Sequence, residues 1–543
     1  MDRESKRALF WSAQLSGLAL AWRSWLSLRF WGHEEEDWAN LIHSARISEA
    51  LQSGTAFGAE FSELIDLEHM PLFTWLCAGL TLLVGDPRSA ALMVAGTMGA
   101  LSVGLVTWIG WRWLSPLAGL TAGLLLCFQP ESALYAATPL RESTYAALML
   151  AGVALIGERR GVAGGLTLSL AFLCRFNIAF SLLPALAGLG LWQLRKRQAS
   201  EDQRDAQAAL TGAALVTITV LAWVLYYQQH SEGGDWRFWA GVMDRNAGNA
   251  VTDLFPMERL QAIALAVFGL WGWIVPGHFG WLTALLALFA LTRFGKLPRQ
   301  GYSQGFWLLA AGLSTFALLT ITALVSAYPP SHNLYWKWLC PSVPYLALLA
   351  GHGNAELVAR LKSHTPQGSA PLIVAIALVF ATTAPSYVHH TRSQLSLSDE
   401  YAGNQVRLAR WVEQHWPAGA AIVGSDGEIA QLYLTGRGQG TRSLDWLRAA
   451  PADDPAALGR WLISERVALL LWFHEEWTGA REVAGFLAEA KQMELVPGLI
   501  VERIGQLERS DGAGFTAFQV LGPDPQFRPG QPAPLLTGGG GQQ

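Results

Sequence analysis

Ser89–Gly110 reads SAALMVAGTMGALSVGLVTWIG, without one Asp, Glu, Lys or Arg. As a helix this stretch extends about 33 Å, enough to cross the roughly 30 Å hydrocarbon core of a bilayer. Similar runs recur at Leu117–Phe128, Leu210–Tyr227, Phe306–Val325 and Pro371–Ala384, each almost free of charge. The chain of 543 residues is 51% hydrophobic and 15% charged, against about 25% charged in soluble domains. Its 25 tryptophans suit a protein whose amphipathic rings sit at lipid headgroups. These features predict a mainly α, polytopic membrane protein with lipids around it. The net charge of −4 identifies no partner, and no nucleic acid is expected. Cys77, Cys127, Cys174 and Cys340 lie in or beside apolar segments, with neither metal-ligand spacing nor a disulfide framework.

Loop charge orients the chain, because Lys and Arg concentrate on the cytoplasmic side. With the N-terminus inside, about eleven spans are expected near 8–30, 88–110, 117–135, 143–157, 161–174, 178–194, 209–228, 279–292, 305–326, 341–351 and 370–387. Arg159-Arg160, Arg195-Lys196-Arg197, Arg293/Lys296/Arg299 and Arg360/Lys362 then fall inside. The outer loop from Trp31 to Asp86 holds ten acids and one base, Arg46. Pro71–Gly85 and Leu260–Val275 break this alternation if they cross, and read as helices on the outer surface. The basic Met1–Arg7 before an apolar run resembles a signal peptide, but Arg23 and Arg29 favour a retained helix. No internal repeat is visible.

Three regions are expected: a membrane domain over 1–388, with first outer loop 31–87, a soluble α/β domain over 389–525, and a Gly/Pro-rich disordered tail over 526–543. In the soluble part, Ala420–Val423 and Ala468–Phe473 read as strands. Leu408–Trp416, Leu458–Glu465 and Glu482–Ala490 read as helices. An odd number of spans places this domain on the face of the acidic loop.

Glu34-Glu35-Glu36-Asp37-Trp38 follows the first span directly. Crowding raises the pKa of neighbouring carboxylates, as a proton acceptor needs; a solvated loop start is the plainer reading. About thirty residues on, Asp66-Leu67-Glu68-His69-Met70-Pro71-Leu72-Phe73 adds two acids and a histidine at a helix start, where Pro is favoured. Ala45-Arg46 and Gly54 punctuate the segment between them. Further along stand Pro130, Tyr135 and Arg141-Glu142, then the run Gly165–Ile178 containing Arg175. Asn333-Leu334-Tyr335-Trp336-Lys337 precedes Pro341 and Pro344. Alone, Arg141 and Arg175 also read as headgroup anchors and His69 as a packing residue.

In this order the elements resemble the GT-C superfamily of membrane glycosyltransferases. The likeness is greatest to the polyprenyl-phosphate-sugar group that includes protein O-mannosyltransferases and lipid A aminoarabinose transferases. The resemblance spans about residues 8–390. Ala409-Arg410-Trp411-Val412 and Tyr433–Arg437 also look like that group's periplasmic domains. The family's leading Asp is absent unless Asp37 serves, Met70 replaces a proline, and Lys337 stands where Arg is common. A point-charge ammonium lacks the bidentate phosphate contact of Arg.

The resemblance implies a transferase in a bacterial inner membrane, with its site on the outer, periplasmic face. The donor would be a sugar on a polyprenyl phosphate, and the acceptor an unidentified lipid, glycan or protein. Catalytic candidates are Glu35, Glu36, Asp37, Asp66 and Glu68. Substrate-binding candidates are His69, Arg141, Glu142, Arg175, Tyr335 and Lys337. A carboxylate base would act in a single inverting displacement, with no cofactor needed, although the acids could hold a divalent cation. Three other classes compete: a lipid-linked sugar transporter, a polysaccharide ligase or polymerase, and a non-catalytic relative on the same fold. Transporters place ionisable groups at mid-membrane on interrupted helices, and ligases place theirs in a large late loop.

Overall fold

The computed structural model describes residues 3–29, 35–56, 70–175, 182–196, 200–230, 280–293, 340–364, 383–385, 387–393, 395, 421–424, 441–442, 454–464, 467–473, 491–508 and 514–522. They fall in two compact units: Met1–Phe30 with His43–Gln394, and Trp31–Ile42 with Leu395–Gln543.

The first unit is helical. Its elements are α1 (Arg3–Ser27), α2 (Glu35–Ser53, whose first residues group with the second unit), α3 (Leu72–Val84), α4 (Pro87–Ile109), α5 (Pro116–Phe128), α6 (Pro130–Tyr135), α7 (Glu142–Gly157), α8 (Gly161–Cys174), α9 (Leu182–Lys196), α10 (Ser200–His230), α11 (Trp281–Arg293) and α12 (Val343–His364). Among the described residues, Pro87–Leu114 and Gln203–Tyr226 are long and apolar enough to cross a bilayer alone. Six further apolar helices have 10–17 residues.

Helix α1 shows which surface meets lipid. Its buried stripe, Ala8, Ser12, Leu15, Ala19, Arg23 and Leu26, is mostly small or polar. Leu9, Phe10, Trp11, Leu18, Leu20, Trp25 and Leu28 face outward. A water-soluble helix buries its large apolar side chains; reversing that arrangement suits a hydrocarbon solvent, where close packing of small residues joins helices. The exposed Leu166, Leu170, Ile218, Leu221, Leu225, Leu285 and Leu288 extend the apolar surface over α8, α10 and α11.

Local chemistry sets the helix boundaries. Asp86 caps α4, its carboxylate accepting from the Ser89 N–H at 2.7 Å, and Pro87 fills the first helical position. A π-helical turn over Gly110–Leu114 closes α4, and Ser115 caps α5 ahead of Pro116. Here α4 and α5 touch backbone to backbone: a Cβ on Gly110 would stand 2.6 Å from Gly119 Cα.

Two expected spans are revised. The stretch 117–135 is not one helix, because Gln129 is extended and Pro130 brings no N–H, so α5 stops at Phe128 and α6 begins anew. The short span at 341–351 is the start of α12, which continues to His364. Arg360 and Lys362 therefore lie on a helix, with the Arg360 guanidinium 5.2 Å from the Phe289 ring centre. Helix α3, about 20 Å long, is too short to cross. The expected span 305–326, residues 370–382 of the expected span 370–387, the surface helix Leu260–Val275 and the tail lie outside the described residues.

Helix α4 packs against α1, α3, α5 and α7; α8 joins α7 and α10; α12 joins α5 and α11. One crowded contact positions a charge. A Cβ on Gly99 of α4 would lie 2.5 Å from Ala136 Cβ and 2.9 Å from Arg23 Nε. Gly99→Ala is therefore expected to destabilise the protein by about 1–3 kcal/mol, read as thermal unfolding in detergent.

The second unit holds β1 (Ala421–Gly424), β2 (Thr441–Arg442), helix α13 (Pro455–Ser464), β3 (Val467–Phe473), β4 (Gln492–Val496), β5 (Leu499–Glu508) and β6 (Gly514–Leu521). The sheet order is β2-β1-β3-β6-β5-β4. β1 pairs parallel with β2 and β3, while β3-β6, β6-β5 and β5-β4 are antiparallel. Leu458 and Leu462 of α13 pack with Val467, Leu470, Leu499, Val501, Phe518 and Val520.

Candidate active site

Charged side chains converge where helix ends meet inside the first unit: the last turn of α1, the α5–α6 junction, the start of α7, the end of α8 and the turn Cys340–Ser342 before α12. Arg23, Glu131, Arg141, Glu142 and Arg175 are all buried there.

Glu142 opens α7 and Arg175 caps the C-terminal end of α8. Each charge suits its helix terminus, acid at the N-terminal end and base at the C-terminal end. Antiparallel packing of α7 and α8 brings the two together, and Arg175 Nη1 donates to Glu142 Oε1. The second carboxylate oxygen, Oε2, accepts no hydrogen bond among the described residues. Arg141 stands immediately before α7 and lies, with Glu142, within electrostatic reach of Cys174.

A second group forms around α6. Gln129 caps it, its side-chain oxygen accepting from the Ser132 N–H at 2.6 Å while its amide nitrogen donates to Glu131. Glu131 also pairs with His390, Nε2 to Oε1 at 2.8 Å. Arg23 reaches the same turn from α1 and donates to Ser132 Oγ at 3.4 Å. Cys340 lies within electrostatic reach of Glu142, Arg175, Glu131 and Arg23, which ties both groups into one cluster.

Of the residues singled out in the sequence, Arg141, Glu142 and Arg175 are brought together. Glu35, Glu36 and Asp37 form the first turn of α2, so these three acids are helical. That helix ends with Gly54 in the left-handed region, φ +76°. Trp31–Ile42 groups with the second unit. Asp66, Glu68, His69, Tyr335 and Lys337 lie outside the described residues, as does the expected approach of Asp66 or Glu68 to the 34–37 acids. Sequence reasoning missed Glu131 and His390. The signals were an acid directly after the helix-starting Pro130 and a His389-His390 pair just beyond the last expected span. Arg23 had served only as an argument that the first helix is retained. Among the described residues, no three His, Cys, Asp or Glu side chains gather in a way that would hold a metal ion.

Arginines and carboxylates buried together inside an apolar helical unit can bind an anion and hold acidic groups in fixed orientation. The fold has solved counterparts. ArnT from Cupriavidus metallidurans, an aminoarabinose transferase, was solved bound to undecaprenyl phosphate. It matches 93% of this chain and 98% of its own, with TM-score 0.55 and 16% identity. Its apo state matches 94% of this chain and 98% of its own, at TM-score 0.53 and 17% identity. The oligosaccharyltransferase AglB from Archaeoglobus fulgidus, solved with an inhibitory peptide and a dolichol-phosphate, covers 93% of this chain. The match takes in 74% of AglB, with TM-score 0.50 and 11% identity. Both are members of the GT-C superfamily, and this chain has their fold. No protein-family model and no curated protein matches the chain.

Proposed function

We propose that the protein is a membrane glycosyltransferase that moves a sugar from a polyprenyl-phosphate donor to an acceptor at the outer face of a bacterial inner membrane. The observation carrying this reading is the buried cluster of Arg23, Arg141 and Arg175 with Glu131 and Glu142. It is supported by a fold shared, over nearly the whole chain, with a structure holding undecaprenyl phosphate. Burying that much charge in an apolar unit is costly and follows from function more readily than from stability.

In this reading one carboxylate among Glu35, Glu36 and Asp37, with Asp66 and Glu68 as further candidates, takes a proton from the acceptor hydroxyl or amine. The acceptor attacks the anomeric carbon as the sugar–phosphate bond breaks, and the lipid phosphate departs with the bonding electrons. A positioned base contributes about 10²–10⁴-fold. The leaving group is already an anion, so cations can take the place of a general acid. Arg141 and Arg175 serve as those cations, with Glu142 orienting Arg175; His69, Tyr335 and Lys337 complete the donor site. Single displacement inverts the anomeric centre, and no cofactor is required. The reading keeps the N-terminus in the cytoplasm and the C-terminal domain in the periplasm, as the loop charges and an odd number of spans would give. The test is transfer in nanodiscs from a panel of polyprenyl-phosphate sugars, with product configuration read by NMR. Inversion is expected; a retained configuration would contradict the single-displacement mechanism.

A further inference from the structure

Glu142 has Arg175 and Glu131 has His390, but among the described residues no carboxylate pairs with Arg23. Its side chain is 1% exposed, and a guanidinium offers five N–H donors. Nη1 donates to Ala19 O at 3.3 Å and Nη2 to Ser132 Oγ at 3.4 Å, both at long range, and the side chain also meets the Cys127 thiol. Nε has no acceptor. Among the described residues, the titratable side chains within its electrostatic reach are the thiols of Cys127 and Cys340. The surrounding helices are nevertheless shaped to house it. Gly99 leaves the space into which a Cβ would bring a collision with Nε, and α1 places Arg23 on its buried stripe among Ala19 and Leu26. A charge accommodated this closely and matched with no anion among the described residues lacks a structural rationale, because a buried charge is tolerated when it is paired.

We infer that Arg23 is the anchoring cation of a phosphate subsite between α1, α4 and the Ser132 turn, and that the missing anion is the phosphate carried by the lipid-linked donor. The inference rests on the donor reading above and adds a residue to it. Arg23 supplies the fixed positive charge, and Ser132 supplies a hydroxyl. Three arginines against two glutamates leave the cluster, counted over its described residues, one positive charge in excess before the donor arrives.

The test compares thermal unfolding of the full chain in nanodiscs for wild type, Arg23→Met and Arg23→Lys. Each is titrated with undecaprenyl phosphate, undecaprenol and inorganic phosphate. Wild type is expected to be stabilised by undecaprenyl phosphate and not by undecaprenol. Without ligand, Arg23→Met should melt at or above wild type, because an unpaired buried charge has been removed. Its affinity for undecaprenyl phosphate should nevertheless fall at least about tenfold. Arg23→Lys should bind between the two, since the ammonium keeps the charge and loses the fork. Wild-type affinity in Arg23→Met overturns the inference and leaves the donor reading standing. An Arg23→Met chain that melts well below wild type, or fails to accumulate, marks Arg23 as a structural cation and also overturns it. Stabilisation of wild type by inorganic phosphate alone, lost in Arg23→Met, upholds the anion subsite and removes the lipid donor. Stabilisation by neither phosphate overturns both.

Discussion

Replacing Glu142 by Ala should destabilise the protein by about 3–5 kcal/mol, because it leaves Arg175 charged and buried without its partner. Arg175→Ala should cost a similar amount, since Glu142 is fully buried and would lose its partner. The pair joins the start of α7 to the end of α8, so its loss also loosens the antiparallel contact that shapes the site. Replacing both at once with Glu142→Leu and Arg175→Met should cost much less than the two single changes added together. Apolar groups of similar volume often substitute for a buried pair with little loss or a gain. The double-mutant cycle isolates the coupling, measured as thermal or denaturant-induced unfolding in detergent. Single costs that simply add would show that the two side chains do not act as a pair. The double variant should fold and still fail to transfer sugar, which separates the pair's catalytic part from its structural one.

The acids of the first outer segment carry the largest kinetic expectation. If one of Glu35, Glu36 and Asp37 is the general base, changing it to its amide should lower turnover about 10²-fold or more, with donor binding nearly intact. The other two should show milder effects, because they contribute only through their field. Arg175→Ala should weaken donor binding as well as turnover, since a cation on the phosphate acts in ground and transition states alike. Wild-type turnover in all three amide variants would reduce the acidic run to the charged first turn of a helix.

Much of the helical fold was legible because hydropathy reports helices directly. The uncharged stretch from Ser89 became α4, and the expected 161–174 helix is α8 residue for residue. Breaks that depend on one residue's geometry were harder to read. Gln129 ends α5 through an extended backbone and a side-chain cap, which an apolar count running to Tyr135 cannot register. In the second unit, the short apolar runs that became β1 and β3 were readable as strands. β4, β5 and β6 mix Glu, Arg and Gln into their pattern and were not.

The candidate site divides along similar lines. Arg141, Glu142 and Arg175 stood out through their place in the order of elements that resembles the GT-C group. Their pairing joins positions 33 residues apart in sequence but follows from antiparallel neighbours. The contact between Glu131 and His390 spans nearly half of the chain, and only tertiary packing creates it. Arg23 was visible as a basic residue near the end of the first helix, where snorkelling to the headgroups is the ordinary fate. Its burial against Gly99 and Ser132 depends on three helices meeting and is a property of the fold.

The central claim is transfer of sugar away from a lipid phosphate, and the most direct measurement follows both halves of the donor. The purified chain in nanodiscs is given a polyprenyl-phosphate sugar labelled in the lipid and in the sugar, together with membrane extract as the acceptor source. The account predicts one free polyprenyl phosphate for each sugar found on an acceptor, with both products lost in the variant carrying Glu35→Gln, Glu36→Gln and Asp37→Asn. Donor that is bound or moved between leaflets while its sugar–phosphate bond stays intact would contradict it, and would identify a carrier of lipid-linked sugars instead.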